Sequence, residues 1–320
     1  MAKKKPFLNK KARAVIALLL VALLILALDY FMEEQPETAA PAEILSPLSS
    51  PSPSPEAVSA KEEYLDVYVL DVGQGDSIFI KGPSGATMLV DAGESGAFKI
   101  IDAFLQVQGV KKLDVVIGSH PHADHIGGMQ KVVANYKIGA YYMPDAVNNT
   151  RMFENLLDEL EKRKVPVKKA VGGKASYIKW DKNVEVRLLS PLADVKYNNL
   201  NDASVICNIR FGDTSVLLTG DAEAYAERAA LMELPEAYFK ATVLKVGHHG
   251  SSSSTSAAFL EAVSPEVAII SLGANNDYGH PHKEIISALK RAKIPYYRTD
   301  ESGLVHIRLD GSSFTVETEK

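Results

Sequence analysis

An α/β fold with two sheets covered by helices is predicted by three observations on this 320-residue chain. Strand-like segments alternate with amphipathic helices, and the alternation runs through two successive halves of residues 61–320. The composition, 46% apolar and 23% charged, supplies a sizeable core. One cysteine, Cys207, excludes an internal disulfide framework and a Cys-x-x-Cys zinc knuckle, so packing must hold the domain together.

The N-terminal 60 residues have a different character. Residues 1–13 form a basic tail with six positive charges, Lys3, Lys4, Lys5, Lys10, Lys11 and Arg13. Ala14–Leu28 is uninterrupted apolar, and continuing through Met32 gives a stretch near the roughly 20 residues a span requires. The basic flank precedes the run and acids follow it. The positive-inside rule therefore puts the N-terminus in the cytoplasm and the rest outside, on a single-pass anchor over 14–32. A cleaved signal peptide, giving a secreted domain, is the competing reading. Its nearest small-residue site, Thr38-Ala39-Ala40, is followed by Pro41, a poor setting for cleavage, so the retained anchor is preferred. Residues 33–60 alternate Pro and Ser and bury too little apolar surface to order themselves, which reads as a linker. Residues 29–60, which include Asp29 at the end of the apolar run, carry six acids and no base. Tail and linker cancel, so residues 61–320 hold the whole net charge of −5. A mildly acidic domain argues against strong sequence-independent DNA binding.

The elements of the domain 61–320 follow in order. Leu65–Asp71 alternates as a strand; Ser77–Lys81 and Thr87–Asp91 are strands joined by Gly82-Pro83-Ser84-Gly85. Phe98–Gln108 is a helix presenting Ile101, Phe104 and Leu105, and Asp114–Gly118 is a short buried strand. A helix is expected from Ile126 towards Tyr136, and another over Met152–Arg163 with Phe153, Leu156, Leu157 and Leu160 inward. Strands Val184–Leu189, Ser204–Arg210 and Ser215–Thr219 come next. Then helix Ala222–Glu233, strand Thr242–Val246, helix Thr255–Val263 and strand Val267–Ser271 alternate. Helix Lys283–Arg291 and strands at Pro295–Arg298, Leu304–Leu309 and Phe314–Glu319 end the chain.

Seven of the eight histidines fall in three clusters: His120/His122/His125, His248/His249 and His280/His282. The first lies in SHPHADHIGG, directly after a buried strand. His120 and His122, two apart in extended chain, can point the same way. Asp124 and His125 follow as the chain turns into a helix, and Gly127-Gly128 permits close backbone approach. Four metal-capable side chains in six residues require a cation more than they suit a core. His306, alone in a strand, reads as structural, and Cys207, alternating with Val205 and Ile209, reads as core.

The HxHxDH cluster resembles the signature of the metallo-β-lactamase fold, an αββα sandwich holding one or two metals at the sheet ends. The resemblance implies that His120 and His122 serve metal one and Asp124 and His125 metal two. LVDAG supplies Asp91 to orient a ligand, SVLLTGD supplies Asp221 as the bridging carboxylate, and KVGHHGSSSS offers His248 and His249 to close the site. More specifically, LDVGQGDSIFI, LLTGD, LKVGHHGSSSSTS, YGHPH and YRTDESG resemble the extracytoplasmic hydrolase domain of ComEC-type DNA-uptake proteins. Asp76 is placed near the metals by this resemblance alone.

Two departures stand out. Only one apolar run is present, so the multi-span channel of those proteins has no counterpart here and transport is not carried over. Between His125 and Asp221 there is no histidine, where many members of the fold have a third ligand to metal one. Asp202 is the candidate there, with turn or helix capping as the alternative. Metal one is then open and oxygen-rich, which admits Mn2+ beside the Zn2+ expected at both sites.

These residues favour a membrane-tethered, metal-dependent phosphodiesterase or nuclease related to competence proteins, with DNA as the candidate substrate and a water acidified by the ions as nucleophile. His249, His280 or His282 is the candidate proton donor, with Asp124 beside the reacting groups. Ser251–Ser254 is expected to cap a helix rather than act as nucleophile. The basic stretch Lys162–Lys169 is the local contact available to a polyanion. An acyl-bond hydrolase on the same fold, for lactam or thioester, and a non-catalytic binding module are the alternatives.

Overall fold

The computed structural model describes residues 63–320, and the basic tail, the apolar run and the Pro/Ser stretch all lie outside the described residues. Among the described residues no helix is long and apolar enough to cross a membrane.

Leu65–Val69 (β1), Ile78–Lys81 (β2), Thr87–Val90 (β3), Lys112–Ile117 (β4), Lys137–Met143 (β5) and Val167–Lys169 (β6) build one sheet with the two C-terminal strands. Those two are Val305–Leu309 (β14) and Phe314–Thr318 (β15), and the spatial order is β15-β14-β1-β2-β3-β4-β5-β6. The second sheet joins Tyr177–Ile178 (β7), Val184–Ser190 (β8), Ile206–Phe211 (β9), Thr214–Leu218 (β10), Val243–Lys245 (β11), Val267–Ile270 (β12) and Tyr296–Arg298 (β13). Its order is β13-β12-β11-β10-β9-β8-β7. Val67, Ile80, Met88 and Ile307 of the first sheet pack with Val186, Cys207, Ile209 and Val216 of the second in one buried apolar core.

Helices cover both outer faces. Phe98–Val107, Met129–Asn135 and Arg151–Lys162 turn Ile101, Leu105, Val132, Val133, Phe153 and Leu156 onto the first sheet. Ala224–Glu233, Ala257–Val263 and Lys283–Arg291 do the same for the second through Ala226, Ala230, Phe259 and Leu289. The result is the four-layer αββα arrangement.

Element boundaries move little from the pattern, with instructive exceptions. The helix expected from Ile126 is two helices, Ala123–Ile126 and Met129–Asn135, broken at Gly127–Gly128. A Cβ at either glycine would collide with the backbone of residues 92–95 or Ala123. Strand β5 escapes the pattern because Gly139 and the tyrosines blur its alternation, and Gly139 is needed where the strand nears the carbonyl of Asp114. The cap of helix Ala257–Val263 is Ser256, whose side chain accepts from the Phe259 N–H, not the serines 251–254. Cys207 is buried in the core, and His306 stacks on Tyr68 at 4.1 Å and bonds Asp66 at 2.8 Å, both structural as expected.

Strands β3 to β6 run parallel, as do β10 to β13. The chemistry-bearing motifs follow the carboxyl ends of β3, β4, β10 and β11, where open α/β sheets place their ligands. The turn between β1 and β2 closes over this edge. Its Gly75 has φ +137°, its missing Cβ would strike the Asp124 carbonyl, and the neighbouring Asp76 N–H donates to that oxygen at 3.1 Å. Gly75→Ala is therefore expected to cost about 1–3 kcal/mol by thermal or denaturant unfolding. Gly85→Ala, also at positive φ but with nothing within 4 Å, should cost less; equal losses would contradict the close approach.

Candidate metal centre

Asp91 follows β3 directly, in the left-handed region at φ 60°, with its carboxylate held under the loop after β4. Ser119 donates to it twice, through N–H at 2.7 Å and Oγ at 2.6 Å. His125 Nδ1 meets Asp91 Oδ2 at 2.8 Å. Asp91 thus fixes the His125 tautomer and leaves Nε2 as a lone pair aimed into the cleft. Ser271 O plays the same part for His249, accepting from Nδ1 at 2.8 Å.

Asp221 lies at the centre, fully buried after Gly220 and with its N–H on Ser204 Oγ. Its Oδ1 stands 3.2 Å from His125 Nε2 and 3.5 Å from His249 Nε2. Asp124 Oδ2 is 3.4 Å from His249 Nε2, and the two imidazole Nε2 atoms are 3.3 Å apart. Donor atoms from Asp124, His125, Asp221 and His249 all lie within 4.8 Å of one another. Around an ion bound at roughly 2.0–2.1 Å from each nitrogen, tetrahedral donors stand about 3.3 Å apart, so this set fits a divalent cation. The buried Asp221 Oδ1 has no hydrogen-bond partner among the described residues. Two lone pairs and two carboxylates packed this way repel unless a positive charge sits between them.

The other carboxylate oxygen faces a second set. Asp221 Oδ2 is 3.8 Å from His120 Nε2 and 3.7 Å from His248 Nε2, while His120 Nε2 and His122 Nδ1 are 3.0 Å apart. This set is more open than the first. His248 and His249 separate to the two sides because both are left-handed, at φ 48° and 54°. His248 Nδ1 rests near Ser253 Oγ at 3.2 Å and Glu223 Oε1 at 3.4 Å.

Other residues singled out in the sequence sit as follows. Asp202 Oδ1 accepts from Ala226 N–H in the first turn of helix Ala224–Glu233, the contact expected of the capping alternative, and Asp202 is not among the clustered donors. Asp76 is buried beside the centre, its Oδ1 3.5 Å from His249 Nδ1. His282 is engaged at both nitrogens, Nδ1 accepting from Ser252 N–H at 2.9 Å and Nε2 reaching Tyr278 O at 3.3 Å. His280 lies beside His248 and His249, ring centroids 5.6 and 6.3 Å away, with a buried Nδ1 lacking a partner. Burial, then the His249 charge, push its pKa down to about 4. In the basic stretch, Lys162 and Arg163 pair with Glu159, and Lys169 with Asp145.

Sequence reasoning missed Lys245. It is 1% exposed at the end of β11, with Nζ 3.0 Å from Asp76 Oδ2 and donating to Val246 O. It neutralises Asp76 and so ties the β1–β2 turn to the strand carrying the paired histidines. A lysine inside Thr242–Val246 was the available signal. Glu223 beside His248 and Asn201, whose Oδ1 is buried without a partner, were also overlooked.

Burial opposes charge on His125 and His249, but Asp221, with Asp91 on the former and Asp124 on the latter, outweighs it and raises both pKa values, His125 strongly. Protons thus compete for the place of a cation. Metal binding must release them, so affinity should fall as pH drops through and below neutrality. Calorimetric titration with Zn2+ or Mn2+ in buffers of different ionisation enthalpy is expected to show net proton release; none would contradict this electrostatic picture.

Residues 70–274 match the metallo-beta-lactamase superfamily. The chain is 32% identical over 260 residues to ComE operon protein 3 of Bacillus subtilis (strain 168), covering 76% of this chain and 33% of that protein. It is 30% identical over 256 residues to competence protein ComA of Neisseria gonorrhoeae, covering 80% and 33%. Recombination protein 2 of Haemophilus influenzae is 32% identical over 246 residues, covering 75% and 28%. The chain thus spans about a third of the length of these relatives. Among solved structures, the metallo-beta-lactamase fold protein YhfI from Bacillus subtilis aligns with a TM-score of 0.48 at 16% identity, covering 76% of this chain and 99% of that one.

Proposed function

The chain belongs to the metallo-β-lactamase superfamily and is related to competence proteins, and from that premise we propose that it is a metal-dependent phosphodiesterase acting on nucleic acid. The observation that carries this reading is the division of Asp221, one oxygen towards each donor set. A carboxylate so placed would offer one oxygen to each of two cations, the donor arrangement that two-metal phosphoryl transfer calls for. Asp124, His125, Asp221 and His249 would hold the tighter ion. His120, His122 and Asp221 would hold the weaker, with His248 turned to the same oxygen.

Bound there, divalent zinc or manganese supplies Lewis acidity and a water acidified towards neutral pH. The chain's own residues do the rest. Asp91 and Ser271 lock the imidazoles in the tautomer that presents Nε2. Two cation sites in an acidic domain give an anionic reacting group one strongly attractive point, which suits a phosphodiester better than the uncharged amide bond of a lactam. His280 is the histidine left to serve the leaving oxygen, since His249 Nε2 is committed to the cluster and His282 is engaged at both nitrogens. It meets substrate neutral, and a phosphate anion beside it raises its pKa and draws a proton onto the ring.

A metal-reconstituted assay on single-stranded DNA, double-stranded DNA, a bis-aryl phosphate and a β-lactam tests the reading. Phosphodiester cleavage abolished in Asp221→Ala and reduced about 10–100-fold in Asp91→Asn is expected. Turnover of lactam or thioester with no attack on any phosphodiester would overturn it.

We further propose that the domain is tethered outside the cytoplasmic membrane by residues 14–32, on the strength of the basic flank and apolar run. Protease added to intact cells should remove the domain by cutting within 33–60. Complete protection would refute the tether.

A further inference from the structure

Three tyrosines stand out as exposed aromatics among the described residues: Tyr177, Tyr225 and Tyr278. Two have local explanations. Tyr177 lies under the Arg187 guanidinium, and Tyr225 packs edge-on to Tyr197 while its hydroxyl donates to Lys196 O. Tyr278, 65% exposed, has neither. Its ring stacks on His280, centroids 5.6 Å apart and planes 20° apart. His280 in turn stacks over His249 at 6.3 Å and 29°. A column of three near-parallel rings therefore runs from solvent to the tighter donor set.

The loop that carries Tyr278 is held in shape before any ligand arrives. Asn276 Nδ2 donates to Gly273 O at 3.0 Å and His280 O at 2.8 Å, and its Oδ1 accepts from His280 N–H. Gly273 N–H donates to Gln74 Oε1, and His282 Nε2 holds the Tyr278 carbonyl. The Tyr278 ring is itself largely solvent-exposed and adds little to the core, so it offers a flat surface at the end of this shaped loop.

We propose that Tyr278 is a base-stacking platform that selects single-stranded nucleic acid for the metal centre. The proposal deepens the phosphodiesterase reading and rests on it. A duplex hides its base faces, whereas an unpaired strand can lay a base on an aromatic ring while its phosphate reaches a site two rings away. The acidity of the domain strengthens the argument. With net charge −5 and with Lys162, Arg163 and Lys169 already paired, electrostatics supplies little non-specific affinity, and stacking supplies affinity that needs no basic groove.

The test measures binding and cleavage separately. Anisotropy of a fluorescein-labelled single-stranded oligonucleotide is titrated with the metal-loaded chain, with Tyr278→Ala and with Tyr278→Trp, each checked for metal content. Stacking of the usual strength predicts Tyr278→Ala weakens binding about 5- to 150-fold, and Tyr278→Trp restores it. An abasic nucleotide walked along the strand should weaken binding to the unsubstituted chain at one position, and Tyr278→Ala should not feel that position. Equal binding by the unsubstituted chain and Tyr278→Ala, at equal metal content, overturns the proposal. So does an unsubstituted chain that binds duplex as tightly as single strand. Tyr278-dependent binding without cleavage of any phosphodiester supports the platform and sinks the phosphodiesterase reading instead.

Discussion

The arrangement turns on a carboxylate that has too few protons around it. Asp221 is buried between imidazoles whose Nδ1 atoms are occupied elsewhere, so their Nε2 lone pairs face its oxygens. Such a cluster is stable only with positive charge inside it. Protons meet that need in part, which is why His125 and His249 are held above the ordinary imidazole range and Asp221 well below the carboxylate range. A divalent ion meets it fully and with the right donor spacing.

The two sheets exist, in effect, to bring these donors together. Asp91, His120, His122, Asp124 and His125 come from loops of the first sheet; Asp221, His248 and His249 come from the second. Neither sheet carries both halves. The cost is local strain: Asp91, His248 and His249 all lie at positive φ, each worth about 1–3 kcal/mol. Hydrogen bonds from Ser119 to Asp91 and from His249 to Ser271 O hold them there, and the buried Lys245–Asp76 pair braces the same corner.

Much of this was legible in the sequence, and the misses have physical causes. Strands such as Leu65–Val69, buried at alternate residues, announce themselves by period. The central histidines and Asp221 are conspicuous because the motif is dense and follows apolar strands. His248 and His249 could not be told apart, since nothing in the sequence reports the two successive left-handed residues that set where each ring points. Asp202 looked like either a ligand or a cap because a carboxylate in a turn serves both; its place shows only through a contact 24 positions away, the Ala226 N–H. Lys245 was overlooked because its meaning depends on Asp76, 169 positions away in the sequence. Tyr278 is one tyrosine among 13 until the ring column is seen.

The central claim is that one carboxylate joins two ion sites, and it is open to direct spectroscopic measurement. The chain loaded with two equivalents of Mn2+ should give the electron paramagnetic resonance spectrum of an exchange-coupled pair, replaced in Asp221→Ala by the signal of isolated or free ions. Two ions that remain magnetically independent in the unsubstituted chain, or coupling that survives Asp221→Ala, would contradict it.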